Sequence, residues 1–264
     1  MRSSIVFRRG DEHPPATRSP LVLALDTDDL DQALDWAERA GPAIGMVKVG
    51  LELFCAHGDR AVRALTDEGH RVMLDLKLHD IPATVARAVG AAADLEVELV
   101  TVHALGGPAM LAAAAGAAPD RLAVAAVTVL TSHAEAELGA IGLDGAPALA
   151  ERLARLALDA GCQALVCSPR EASRLRALAG PGVHLICPGV RPRSSGSSGG
   201  ANIAPPDPPG VVGDDQARVA TPAEAVRAGA DWLVVGRPIT RAADPAAAAR
   251  ALHDQALAAQ AAPR

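Results

Sequence analysis

From Pro20 onward, a short β-rich run is followed by a longer helix-like segment, and this pair recurs eight times along the chain. Neighbouring strands joined by helices run parallel, because only a crossover connection returns the chain to the same edge in the same direction. The predicted strands are 21–25, 44–49, 71–76, 98–103, 121–129, 163–167, 183–187 and 231–235. Helices are expected near 29–40, 51–68, 82–94, 107–117, 147–160, 169–179 and 222–229, with 245–259 closing the series. Gly41, Gly69, Gly161 and Gly229 stand where helix ends call for a left-handed residue, and Thr221-Pro222 reads as an N-cap followed by proline at the first helical position. Eight such units predict an α/β fold, a closed (β/α)8 TIM barrel, whose chemistry belongs at the C-terminal ends of the strands.

A chain of 264 residues suits one such barrel, so 20–264 is read as a single catalytic domain. Residues 1–19 are read as a flexible N-terminal extension. The segment 193–213, rich in Ser, Gly and Pro and without periodicity, is read as a long loop after the seventh strand. Half the residues are hydrophobic but only 2% are aromatic and none is Tyr, so the core is expected to be aliphatic. A net charge of −6 with so few rings argues against a nucleic-acid partner, which calls for a basic face or stacking platforms. Charges or prolines interrupt every alanine-rich stretch before membrane-spanning length, so no membrane partner is expected. Cys55, Cys162, Cys167 and Cys187 show no CxxC spacing, which points to a reducing, cytoplasmic setting.

The most informative stretch is Asp75-Leu-Lys77-Leu-His-Asp80-Ile-Pro82. Side chains alternate along a strand, so Asp75 and Lys77 leave one face while Leu74, Leu76 and Leu78 leave the other. One Asp-x-Lys pair could simply tie a strand to its loop. A second lysine, Lys48, lies in an equally apolar strand, and lysine is seldom buried unless paired. Asp26 ends the first strand; alone it could serve as a carboxylate at the next helix's N-terminus. Together Asp26, Lys48, Asp75, Lys77 and Asp80 put alternating charges at three consecutive strand ends, the clustering expected of a functional site. Gly236-Arg237-Pro follows the eighth strand and Arg191 follows the seventh. A turn with a surface arginine is the plain reading of either; two arginines on adjacent strand ends favour a phosphate site.

No H-x-H, H-E-x-x-H, P-loop or G-x-G-x-x-G spacing occurs, so neither a metal nor an organic cofactor is expected. Ser168 lacks the glycines of a nucleophile elbow and reads as a helix cap, and His103 reads as structural.

These residues resemble the bacterial-type orotidine 5'-phosphate decarboxylase family from about Leu21 to the C-terminal helix. The motifs that carry the likeness include Leu-Asp26, Lys48-Val-Gly, Asp75-Leu-Lys-Leu-His-Asp-Ile-Pro-Ala-Thr84, Thr131-Ser, Pro-Gly-Val-Arg191-Pro, Asp215-Gln216 and Val-Gly236-Arg237-Pro. The resemblance implies cofactor-free decarboxylation of a nucleotide through a C6 carbanion. By motif it implies Asp26 and Lys48 on the ribose hydroxyls, Asp75 beside the substrate carboxylate, and Lys77 as proton donor. It further implies a homodimer in which Asp80 and Thr84 reach the partner's site, Thr131 near the pyrimidine, and Arg191, Gln216, Gly236 and Arg237 on the phosphate. The 24 residues between Arg191 and Gln216 exceed the family's usual connection. Magnesium-dependent sugar-phosphate enzymes on the same barrel share Asp-x-Lys-x-x-Asp, but place a metal-binding glutamate where this chain has Lys48. A binding barrel without catalysis is the non-enzymatic alternative.

Overall fold

The computed structural model describes residues 19–143, 145–192 and 220–261. Among them, eight strands form a closed parallel barrel in sequence order, β1 pairing both β2 and β8. The strands are β1 (Leu21–Ala24), β2 (Met46–Val49), β3 (Val72–Leu78), β4 (Leu99–His103), β5 (Ala123–Val127), β6 (Ala164–Val166), β7 (His184–Cys187) and β8 (Trp232–Val235). The helices around them are α1 (Leu30–Ala40), α2 (Leu51–His57), α3 (Asp59–Asp67), α4 (Pro82–Ala93), α5 (Gly107–Ala117), α6 (Glu135–Ala140), α7 (Ala146–Asp159), α8 (Pro169–Ala179), α9 (Pro222–Arg227), α10 (Arg237–Thr240) and α11 (Pro245–Gln260).

The four glycines expected at helix ends all have positive φ, from 59° to 101°. Gly58, at φ 60°, breaks the helix expected at 51–68 into α2 and α3. The second strand begins at Met46 rather than at 44, because Gly41–Ala43 form a 3-10 turn that Ile44 closes. Helices α6 and α10 were not predicted; each is shorter than two full turns, too short for a 3.6-residue pattern to declare itself.

Two apolar layers account for the packing. Alternate strand residues such as Leu23, Val47, Leu74 and Val100 point outward under the helices, while Val22, Met46, Met73, Ala125 and Val166 fill the barrel. Among the described residues the one aromatic side chain in this inner layer is Trp232, which is 1% exposed at the barrel floor. Arg71 lies over its ring, 5.3 Å from the centroid, and pairs with Glu98 at 2.5 and 2.7 Å. Ser19, assigned by sequence to the extension, is buried and donates to Ala43 O at 2.5 Å. Gly45 makes that closure possible, since a Cβ there would stand 2.1 Å from the Ser19 carbonyl. The rest of the predicted extension, the loop predicted at 193–213 and Gln216 lie outside the described residues. No helix among the described residues is long and apolar enough to cross a membrane, and the four cysteines are free thiols.

Candidate active site

The C-terminal strand ends surround a cavity of about 1010 Å3. Asp26, Lys48, Asp75 and Lys77 line it together with Arg191, Gly236 and Arg237, with Thr131 also on its wall. Strand geometry causes this grouping. Lys48 and Asp75 belong to adjacent strands paired in register, and Asp26 follows β1 on the other side of β2. The charges predicted from three separate motifs thus meet at one point.

They meet as a connected array. Lys48 Nζ lies 3.0 Å from Asp26 Oδ1 and 3.4 Å from Asp75 Oδ2, and Lys77 Nζ lies 3.0 Å from both oxygens of Asp75. The Lys48 side chain is only 11% exposed. Burial pulls its ammonium toward neutrality, but the charges of Asp75 and Asp26 outweigh that and hold its pKa above the usual lysine value. Burial likewise pushes the Asp75 carboxyl up, yet Lys48, Lys77 and the Thr101 hydroxyl together hold it below the ordinary carboxylate range. Lys48 and Asp75, both largely buried, are thus held in their charged forms by the groups around them.

Two residues outside the predicted set support it. Gly50 leaves room for the Lys48–Asp26 pair: a Cβ there would lie 2.9 Å from Lys48 Nζ and 3.3 Å from Asp26 Oδ1. Thr101 Oγ1 donates to Asp75 Oδ1 at 2.9 Å and accepts from the Lys77 backbone N–H at 2.8 Å. The signal for Thr101 was a polar residue at an inward-facing position of an otherwise apolar strand, two residues before His103.

Asp80 and Thr84 stand apart from this cavity. Asp80 is exposed and accepts from the Ile81 N–H at 2.6 Å, and Thr84 sits in the first turn of α4, where its hydroxyl accepts from Arg87 at 3.3 Å. Ile81 beside them is 66% exposed. Arg237 is the first residue of α10, and Gly236 precedes it at negative φ, with an added Cβ in ordinary contact with Ala24. Ser168 occupies the N-cap position of α8, where its N–H donates to Glu171 at 3.1 Å. His103 stacks on His79 with ring centroids 5.7 Å apart. Burial, with His79, His133 and Lys77 nearby, lowers its pKa to about 4, so it is neutral at pH 7. No group of three or more His, Cys, Asp or Glu among the described residues is placed to hold a metal ion.

The model of the family described as orotidine 5'-phosphate decarboxylase / HUMPS matches residues 19–252. The chain is 50% identical over 236 residues to an orotidine 5'-phosphate decarboxylase of Thermobifida fusca (strain YX), covering 89% of this chain and 94% of that protein. It is 52% identical over 233 residues to one from Anaeromyxobacter sp. (strain K), covering 88% and 96%. Among solved structures, orotidine 5'-phosphate decarboxylase from Lactobacillus acidophilus superposes with a TM-score of 0.75 at 33% identity, covering 90% of this chain and 99% of that one.

Proposed function

The chain belongs to the orotidine 5'-phosphate decarboxylase / HUMPS family, and from that premise we propose that it converts orotidine 5'-phosphate to uridine 5'-phosphate in de novo pyrimidine synthesis. The observation that carries this reading within the family is Lys48. A buried ammonium, held by Asp26 and Asp75, fills the place where a sugar-phosphate enzyme needs an anionic ligand for its metal. A divalent cation there would face a like charge at close range.

Loss of CO2 leaves the bonding pair on C6 of the pyrimidine, in the ring plane and without π delocalisation. The barrier to be removed lies toward the upper end for enzymes, roughly 20 kcal/mol. One ammonium about 4 Å from the developing charge supplies on the order of 4 kcal/mol at an effective dielectric of 20. The remainder is drawn from the preorganised array as a whole and from phosphate binding that orients the ring. Lys77 stabilises the carbanion and gives its proton to C6; the resulting amine regains a proton from water. Asp75 keeps Lys77 in place and faces the leaving carboxylate.

In this reading Asp26 and Lys48 take the ribose hydroxyls, Thr131 lies by the pyrimidine, and Arg191, Gly236, Arg237 and Gln216 hold the phosphate. Asp80 and Thr84, displaced from their own cavity, serve the partner's site in a homodimer. The reaction runs without metal or organic cofactor, in the cytoplasm. Decarboxylation of orotidine 5'-phosphate by protein treated with EDTA tests this: full activity is expected, and activity restored only by added Mg2+ would move the chain to the sugar-phosphate branch.

A further inference from the structure

We infer that Thr101 is a positioning residue for the decarboxylation proposed above: its hydroxyl fixes the Asp75 carboxylate and the Lys77 backbone together, so that the Lys77 ammonium is aimed into the cavity. The inference rests on that functional reading, and it begins with an irregularity in β3. Pairing with β4 jumps from Leu74↔Val100 to Leu78↔Val102, so four residues of one strand span two of the other. Lys77 falls inside this bulge with φ at 49°, a conformation that side-chain-bearing residues adopt rarely and at a cost. The bulge displaces the Lys77 N–H from regular ladder pairing, and a buried N–H needs an acceptor.

Thr101 supplies it. The residue is fully buried, and its two bonds have fixed directions. The carboxylate of Asp75 can only accept, at 2.9 Å, and the Lys77 N–H can only donate, at 2.8 Å. The hydroxyl's one proton and an acceptor lone pair are thereby committed. Since Lys77 Nζ also binds both oxygens of Asp75, the lysine is held at both ends, its backbone through Thr101 and its ammonium through a carboxylate that Thr101 orients. Strain concentrated at the residue that performs the proton transfer, and retained by a bond to the charged array, is how a fold preorganises a site. A threonine serving only to fill volume would be replaced without loss by valine, which has nearly the same shape.

The test compares Thr101→Val with Thr101→Ser, measuring turnover at saturating orotidine 5'-phosphate beside the dissociation constant for uridine 5'-phosphate. Thr101→Val is expected to lose about ten- to hundredfold in turnover, the range for losing a hydrogen bond to a charged group. Product binding should be nearly unchanged, and Thr101→Ser should recover most of the rate. Turnover of Thr101→Val equal to wild type, or equal losses in turnover and product binding, would overturn the assignment. Should Thr101→Val fail to fold, Thr101→Ser against Thr101→Cys makes the same comparison, since a thiol of similar shape is a poor hydrogen-bonding group; equal turnover of the two would overturn it as well. Wild-type protein that does not decarboxylate the nucleotide would sink the parent reading and this inference with it. An active wild type with an indifferent Thr101→Val would sink this inference alone.

Discussion

Asp75→Asn should cost stability as well as activity, because the carboxylate it replaces lies between two ammonium groups. Coulomb's law at the observed 3.0 Å to Lys77 and 3.4 Å to Lys48 gives about 5 kcal/mol for each attraction at an effective dielectric of 20. Part of that is returned, since asparagine is cheaper to bury and its amide oxygen still accepts from Thr101. Lys48 also keeps Asp26 at 3.0 Å. The net loss should then be about 3 kcal/mol, the lower end for removing one partner of a buried ion pair. For a chain of this size that corresponds to a melting temperature lower by roughly 10 °C. The pH dependence distinguishes this cause from lost packing. The Asp75 pKa is depressed in the folded protein, so its contribution is fully present above the unfolded carboxyl value of about 4 and fades as pH falls through the lower folded value. Thermal melts of both proteins from pH 8 downward should show a constant gap at neutral pH that begins to narrow below about 4. An Asp75→Asn protein that melts with wild type at pH 7, or a gap that stays constant as Asp75 protonates, would refute the electrostatic account of the array.

Asp231→Ala should be destabilising with little direct effect on chemistry, because Asp231 accepts from the Leu185 N–H at 2.7 Å and pairs with the Arg176 guanidinium on the barrel side away from the cavity. A loss of about 3 kcal/mol in chemical denaturation is expected for removing one partner of this largely buried ion pair together with the acceptor of the Leu185 N–H, and a loss below 1 kcal/mol would contradict it. For the shared site, mixing inactive Asp80→Ala with inactive Lys48→Ala should restore activity in heterodimers, one of whose two sites is then whole. No recovery after verified subunit exchange would count against Asp80 serving the partner.

The fold was legible because the period of the pattern is itself the architecture: strand runs alternating with helices have one short closed solution. The charged array was legible in part for a similar reason, since strand alternation predicts Asp75 and Lys77 on one face, and the contact of Asp75 with Lys48 follows from parallel pairing of β2 with β3. What the sequence concealed depends on local backbone. The bulge in β3 and the positive φ at Lys77 leave no compositional mark, so the bond from Lys77 to Thr101 could not be foreseen. Gly50 stood in a quoted motif, but its purpose is visible only once the Lys48–Asp26 pair occupies the space beside it. Arg71 under the barrel was read as the start of a strand, whereas it closes the floor against Trp232 and Glu98.

Lys77 carries the proposed chemistry, and its removal is the most direct test of it. Lys77→Ala, assayed for decarboxylation of orotidine 5'-phosphate and for binding of uridine 5'-phosphate, should lose nearly all turnover while keeping most of its affinity for product, because the ammonium acts on charge that develops only in the transition state. Turnover close to wild type with only a raised Michaelis constant would show that Lys77 binds substrate without taking part in the chemistry.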